Sequence, residues 1–84
     1  MPSAFEHRQN RIQVVLEGLD KRPLRYKDII AIWLPAGGDL AALSHSLNWM
    51  KTKGYVRKSD SQNRFSPYEI TAVGRRYLEG LKAK

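Results

Sequence analysis

The sequence predicts a small α+β domain: three helices, a two-stranded hairpin and a closing helix. Three observations lead there. Apolar residues recur at helical spacing in three stretches before Gly54. The period then changes to two, around a polar turn. Helical spacing returns after Thr71.

The first helix is expected over residues 4–19, with Ile12, Val15, Leu16 and Leu19 facing inward. Ser3 and Glu6 have the spacing of a capping box, in which the hydroxyl accepts from the backbone three residues on and the carboxylate reaches back. Pro23 stops the helix, because it has no N–H to continue the ladder. Leu24-Arg25-Tyr26 reads as a short extended edge. Ile29, Ile32 and Trp33 mark a second helix over 27–34, ended by Pro35, with Trp33 in the core. Ala36-Gly37-Gly38 is a turn, and Asp39 is a good N-cap for a third helix over 40–53. Leu40, Leu43, Leu47 and Met50 line its inner face. Two helices joined by a tight glycine turn form the helix-turn-helix pattern.

Gly54 stands where a left-handed residue ends a helix, with Tyr55 folding back toward Met50. Tyr55-Val56-Arg57-Lys58 is strand-like, residues 59–64 form a polar turn, and the second strand lies between Phe65 and Thr71. Pro67 limits that strand to an edge or to a start near Tyr68. Thr71 caps the last helix, whose Val73, Tyr77, Leu78 and Leu81 are expected to face inward. Gly74 in its first turn costs helix propensity, so a close approach to another helix is expected there.

Two of these stretches, taken together, resemble the winged helix superfamily, in particular small MarR- and PadR-like regulators. One is Leu47, Met50 and Gly54-Tyr55-Val56, a helix ending on glycine and entering a strand. The other runs from Tyr68-Glu69-Ile70-Thr71 through Ala72-Val73-Gly74-Arg75-Arg76 to Tyr77-Leu78, a strand entering a helix through a threonine cap. The resemblance covers nearly the whole of residues 1–84 and implies one winged helix-turn-helix domain that binds double-stranded DNA. It places the third helix in the major groove and the hairpin, as a wing, on the minor groove or backbone. The long C-terminal dimerisation helix and the effector pocket of the larger regulators are not expected.

Charge agrees with an anionic partner. The formal net charge is +7, and residues 51–84 carry nine Lys/Arg against three Asp/Glu while residues 1–50 are nearly balanced. With Leu43, Leu47 and Met50 inside, the outer face of the third helix presents Ala41, Ala42, His45, Asn48, Trp49 and Thr52. His45 and Asn48 are the hydrogen-bonding readers of base edges, and the alanines suit a thymine methyl. No arginine stands on this helix. Trp49 either packs against the hairpin or the first helix, or meets DNA or a partner. Lys51 and Lys53 are phosphate contacts, as is Lys27 at the start of the second helix. Arg57, Lys58, Gln62, Asn63 and Arg64 are the candidates on the hairpin. Arg75 and Arg76 face either DNA or solvent.

Other classes of function receive no support. There are no cysteines, so thiolate metal sites and disulfides are out, and His7 and His45 lack a metal-site spacing. No serine–histidine–acid set, phosphate-cradling loop or paired carboxylates stand out, so neither an enzyme nor a cofactor or small-molecule ligand is expected. No apolar run approaches the ~18 residues of a membrane helix, and the N-terminus lacks the layout of a secretory signal. The expectation is a soluble cytoplasmic protein. One module covers only roughly 600–1,000 Å² of DNA, which favours a homodimer; the first and last helices, with Phe5 and Leu81, are its candidate surface. The competing reading is a protein-interaction module that uses Trp49 and the hairpin and does not read DNA sequence.

Overall fold

In the computed structural model of the chain, residues 4–60, 62–63 and 65–83 are described, with side chains from Asn10 onward. The elements follow the order α1 (Ala4–Lys21), α2 (Tyr26–Trp33), α3 (Leu40–Thr52), β1 (Val56–Lys58), β2 (Tyr68–Ile70) and α4 (Ala72–Lys82). This is an α+β domain of four helices and one antiparallel hairpin among the described residues. None of its helices is long and apolar enough to cross a membrane. The Ser3–Glu6 capping box and the side chains of Phe5 and His7 lie outside what is described.

α1 is the element on which the others rest, touching α2, α4 and β2. Its Ile12, Val15, Leu16 and Leu19 are buried, as the helical spacing predicts, and the helix runs two residues beyond the expected end. Ile29 and Trp33 of α2, Leu43, Leu47 and Met50 of α3, and Leu78 of α4 complete one cluster with Leu24, Val56, Tyr68 and Ile70. Each aliphatic side chain fully withdrawn from water contributes about 1.5–3 kcal/mol.

Trp33 shows how the turn between α2 and α3 is specified. Its indole N–H donates to the Asp39 carbonyl at 2.8 Å, which satisfies the ring's polar atom inside the core. Gly38 lies against that ring, and a Cβ there would overlap it. Gly37 has φ +94°, a conformation glycine adopts readily. The Asp39 carboxylate then accepts from the Ala42 N–H at 2.7 Å and starts α3.

The end of α3 is a Schellman turn. The Tyr55 N–H donates to the Met50 carbonyl at 2.9 Å, and the Gly54 N–H, with φ +80° at Gly54, to Lys51 at 3.0 Å. β1 and β2 pair in the register Val56↔Ile70, Arg57↔Glu69, Lys58↔Tyr68. Leu24 adds a bridge outside the hairpin: its N–H donates to Tyr68 at 3.0 Å and its carbonyl accepts from Tyr68 at 2.7 Å. Of the short edge expected at residues 24–26, only Leu24 pairs; Arg25 is the N-cap of α2 and Tyr26 its first residue.

Three packing expectations are corrected. Leu40 is 50% exposed and Val73 is 49% exposed, although both fall on the predicted inner faces. Leu40 opens α3, and Val73 lies at the edge of the α4 face whose first turn is buried through Gly74 instead. Gly74 does approach another segment closely, but not a helix. A Cβ there would overlap the carbonyl oxygen of Tyr55, at the junction of α3 and β1.

Candidate nucleic-acid interface

α3 is fixed by its apolar side, so the other side is presented outward. Ala41, His45, Asn48 and Thr52, at helical spacing, are all exposed, and Lys51 and Lys53 are exposed at the C-terminal end. Ala42, expected on this outer face, is corrected to its flank, and Trp49 takes the packed one of its two expected places, on the same flank. Both are half-buried and pack against the core cluster. Trp49 makes edge contacts with Tyr55 at 5.5 Å and Tyr77 at 5.9 Å, and Tyr55 stacks on Tyr77 at 4.4 Å. The tryptophan therefore joins α3 to the β1 junction and to α4.

On the hairpin, alternation sends Val56 inward and Arg57 outward. Arg57 does not stand alone. Its guanidinium donates to Glu69 across the strands at 3.3 Å. The Ser59 hydroxyl also donates to Glu69. That hydroxyl, and then the Arg57 charge, hold the Glu69 carboxyl below its ordinary pKa. Lys58 lies over the Tyr68 ring, 5.5 Å from its centroid. Burial, with Tyr26 as a lesser cause, pushes the Tyr68 hydroxyl above the ordinary tyrosine range.

The hairpin tip is built by side chain–backbone bonds. Asp60 accepts from the Gln62 N–H at 3.0 Å, and Asn63 accepts from the Phe65 N–H at 2.9 Å. The Ser66 hydroxyl donates to the Asp60 carbonyl at 2.8 Å. Gln62 is exposed at this tip, whereas the side-chain oxygen of Asn63 is committed to shaping the turn. Arg64 lies outside the described residues.

Lys27 is exposed in the first turn of α2, where it lines a cleft of about 420 Å³ with Arg25, Tyr26 and Phe65. Lys27, Lys51 and Lys53 have no ion-pair partner among the described residues, so their charge is available to an anion. Arg75 is tied to the body of the domain by Asp20 at 3.1 Å, and Arg76 is exposed.

No protein family, curated protein or solved structure was found to match the chain, so its function is read from its own residues.

Sequence reasoning passed over four residues at this surface. Arg11 lies 5.4 Å above the Trp33 ring and lines a cavity of about 450 Å³ with Ala42, His45 and Ser46. Its spacing of four from Val15, on the core face, was the signal that it leans over the core rather than away from it. Arg25, Tyr26 and Phe65 form the cleft with Lys27, and no local pattern announces that grouping.

Proposed function

We propose that the chain is a non-catalytic, winged helix-type protein that binds double-stranded DNA, serving as a transcriptional regulator or an accessory factor of a mobile element. The observation that carries this reading is the outer stripe of α3. Ala41, His45, Asn48 and Thr52 are exposed in one line, and Lys51 and Lys53, without ion-pair partners among the described residues, stand at its end. In this reading α3 enters the major groove. Asn48 and His45 hydrogen-bond base edges and Ala41 meets a thymine methyl. Lys51 and Lys53 take phosphates on one side, and Lys27 takes them on the other. The hairpin lies along the backbone or minor groove as the wing. Arg57, balanced by Glu69, contributes less there than its charge suggests.

The stripe has one base-reading amide and no arginine, so the reading is of modest sequence preference over a strong electrostatic footing. A homodimer would double the contact. Leu81, which is half-buried, is a weaker candidate for its surface than the exposed Val14 of α1 and Val73 of α4. The protein-interaction alternative has one observation in its favour: Leu34 and Leu40, on either side of the α2–α3 turn, are both about half exposed.

Titration of a fluorescent duplex at several salt concentrations tests the reading. Affinity is expected to fall steeply with salt, each neutralised phosphate contributing about −0.9 to the log–log slope. Lys51→Ala and Lys53→Ala should each flatten that slope for every sequence, while Asn48→Ala should relax preference at one base pair and leave the slope unchanged. Absence of duplex binding at low salt, or binding indifferent to salt, overturns the proposal.

A further inference from the structure

The cleft at the start of α2 sets two aromatic side chains, which duplex binding does not use, beside Lys27, which it does. The Leu24–Tyr68 bridge fixes the start of α2 beside the start of β2. It thereby brings Arg25, Tyr26 and Lys27 to one cleft with Phe65, three residues before Tyr68. Phe65 is 70% exposed and Tyr26 is 38% exposed. One aromatic ring mostly in water and a second partly exposed, beside two cations, call for an explanation beyond solubility. The Phe65 N–H donates to the Asn63 side chain at 2.9 Å, and the hydroxyl of the next residue, Ser66, donates to the Asp60 carbonyl at 2.8 Å. The cleft, about 420 Å³, lies within the ~300–1,000 Å³ typical of small-ligand sites.

A duplex presents phosphates and base edges, but its base faces are covered by stacking, so rings would gain little from it. An acidic peptide supplies charge without a regular aromatic face. An unpaired strand supplies both: each nucleotide pairs one flat π-face with one phosphate. Two rings and two cations in one cleft match that repeat.

We propose that this cleft binds an unpaired nucleotide segment, with bases stacked on Phe65 and Tyr26 and phosphates met by Arg25 and Lys27, so that the protein engages DNA where duplex gives way to single strand. The single-strand site stands by itself; its placement beside a duplex rests on α3 being the duplex-binding helix.

The test uses the full chain and three fluorescent probes: a blunt duplex, the same duplex with a short oligothymidine tail, and oligothymidine alone. The tail is expected to raise affinity at least about ten-fold, the order supplied by one stacked base. Phe65→Ala and Tyr26→Ala should each abolish that advantage; Phe65→Ala should leave blunt-duplex affinity and Tm near those of the parent, and Phe65→Tyr should keep the advantage. Equal binding of blunt and tailed duplex overturns the site and leaves the duplex reading standing. So does a tail advantage that survives Phe65→Ala, or competition by polyglutamate as effective as that by oligothymidine. Phe65-dependent binding of the tail or of oligothymidine, with the blunt duplex unbound, supports the site and overturns the duplex reading. Failure of all three probes overturns both.

Discussion

The base and the tip of the hairpin are built for different purposes. At its base, Gly54, Tyr55, Thr71 and Gly74 are tied together by backbone and hydroxyl bonds. The Thr71 N–H donates to the Tyr55 carbonyl at 3.0 Å, its hydroxyl accepts from the Gly74 N–H at 3.0 Å, and the hydroxyl proton has the carbonyls of Gly54 and Tyr55 within reach. The stacked Tyr55 and Tyr77 cover this knot, with Trp49 at their edge. At the tip, local Asx-type bonds hold the chain, while Phe65 and Gln62 face water. The base buries or bonds its side chains between distant segments; the tip uses Asp60, Asn63 and Ser66 for its own turn and leaves Phe65 and Gln62 exposed. Substitutions should therefore separate cleanly, stability answering to the base and binding to the tip.

Gly74→Ala is the severest way to break that division. An alanine would ordinarily improve a helix by up to about 1 kcal/mol. Here its Cβ would overlap the Tyr55 carbonyl, a backbone atom already engaged by Thr71, and come within contact of the Ile70 side chain. Backbone cannot rotate aside as a side chain can, so the steric term wins. We expect a loss of about 3 kcal/mol, the upper end of overpacking, which in a domain this small lowers Tm by roughly 10–20 °C. A thermal melt that leaves Tm unchanged or raised would show that α4 is not seated on the β1 junction.

Thr71→Ala comes next. It removes the acceptor for the Gly74 N–H and the donor to the α3 end, at an expected cost of about 1–2 kcal/mol. Thr71→Ser keeps the hydroxyl and should recover most of it in the same melt. If serine is no better than alanine, the methyl group and not the cap is what matters.

Why the base was legible in the sequence and the cleft was not comes down to separation along the chain. As caps, Gly54, Thr71 and Asp39 act on residues within four positions of themselves, so spacing and residue type suffice to place them, whereas the bonds from Thr71 to Gly54 and Tyr55 join distant segments and have no local signature. The inner faces of α1 and α3 were legible for the same reason. Leu40 and Val73 fit the same period yet lie exposed, because periodicity gives neither how far the core extends along a helix, as at Leu40, nor where the buried face ends around it, as at Val73 beside the buried Gly74. Ala42 and Trp49 sit on the boundary between faces, where a few degrees of rotation decide burial. The cleft depends on Leu24 meeting Tyr68, a pairing between distant segments with no local signature. Tyr26 and Phe65 therefore read as ordinary strand residues until that bridge puts them side by side. Gly74 lies between these cases: its cost in a helix announced a constraint, but only the fold identifies Tyr55 as the partner.

Phe65→Ala sharpens the comparison from the other side. The ring is mostly in water, so its removal should change stability by no more than about 0.5 kcal/mol in a denaturant melt. A larger loss would mean that the ring supports the fold, and the distinction between base and tip would fail at its clearest point.

The smallest expected effect on the fold sits between base and tip, at Glu69. Its folded-state pKa is depressed, chiefly by the Ser59 hydroxyl and then by Arg57, so the carboxylate's contribution is in place above its unfolded pKa of about 4.3 and is lost as pH falls through the lower folded value. The side chain is 31% exposed and its ion-pair partner Arg57 is 72% exposed, so solvent screens the interaction and the acid limb of a Tm-against-pH curve should differ only slightly between the parent and Glu69→Gln. Binding should respond more. The same substitution releases Arg57 from its cross-strand partner and leaves a cation on the outer edge of the hairpin. If that edge lies along a phosphate backbone, Glu69→Gln should tighten duplex binding and steepen the salt dependence by about 0.9. Unchanged or weaker binding would place Arg57 away from DNA and confine the duplex contact to α3 and the start of α2.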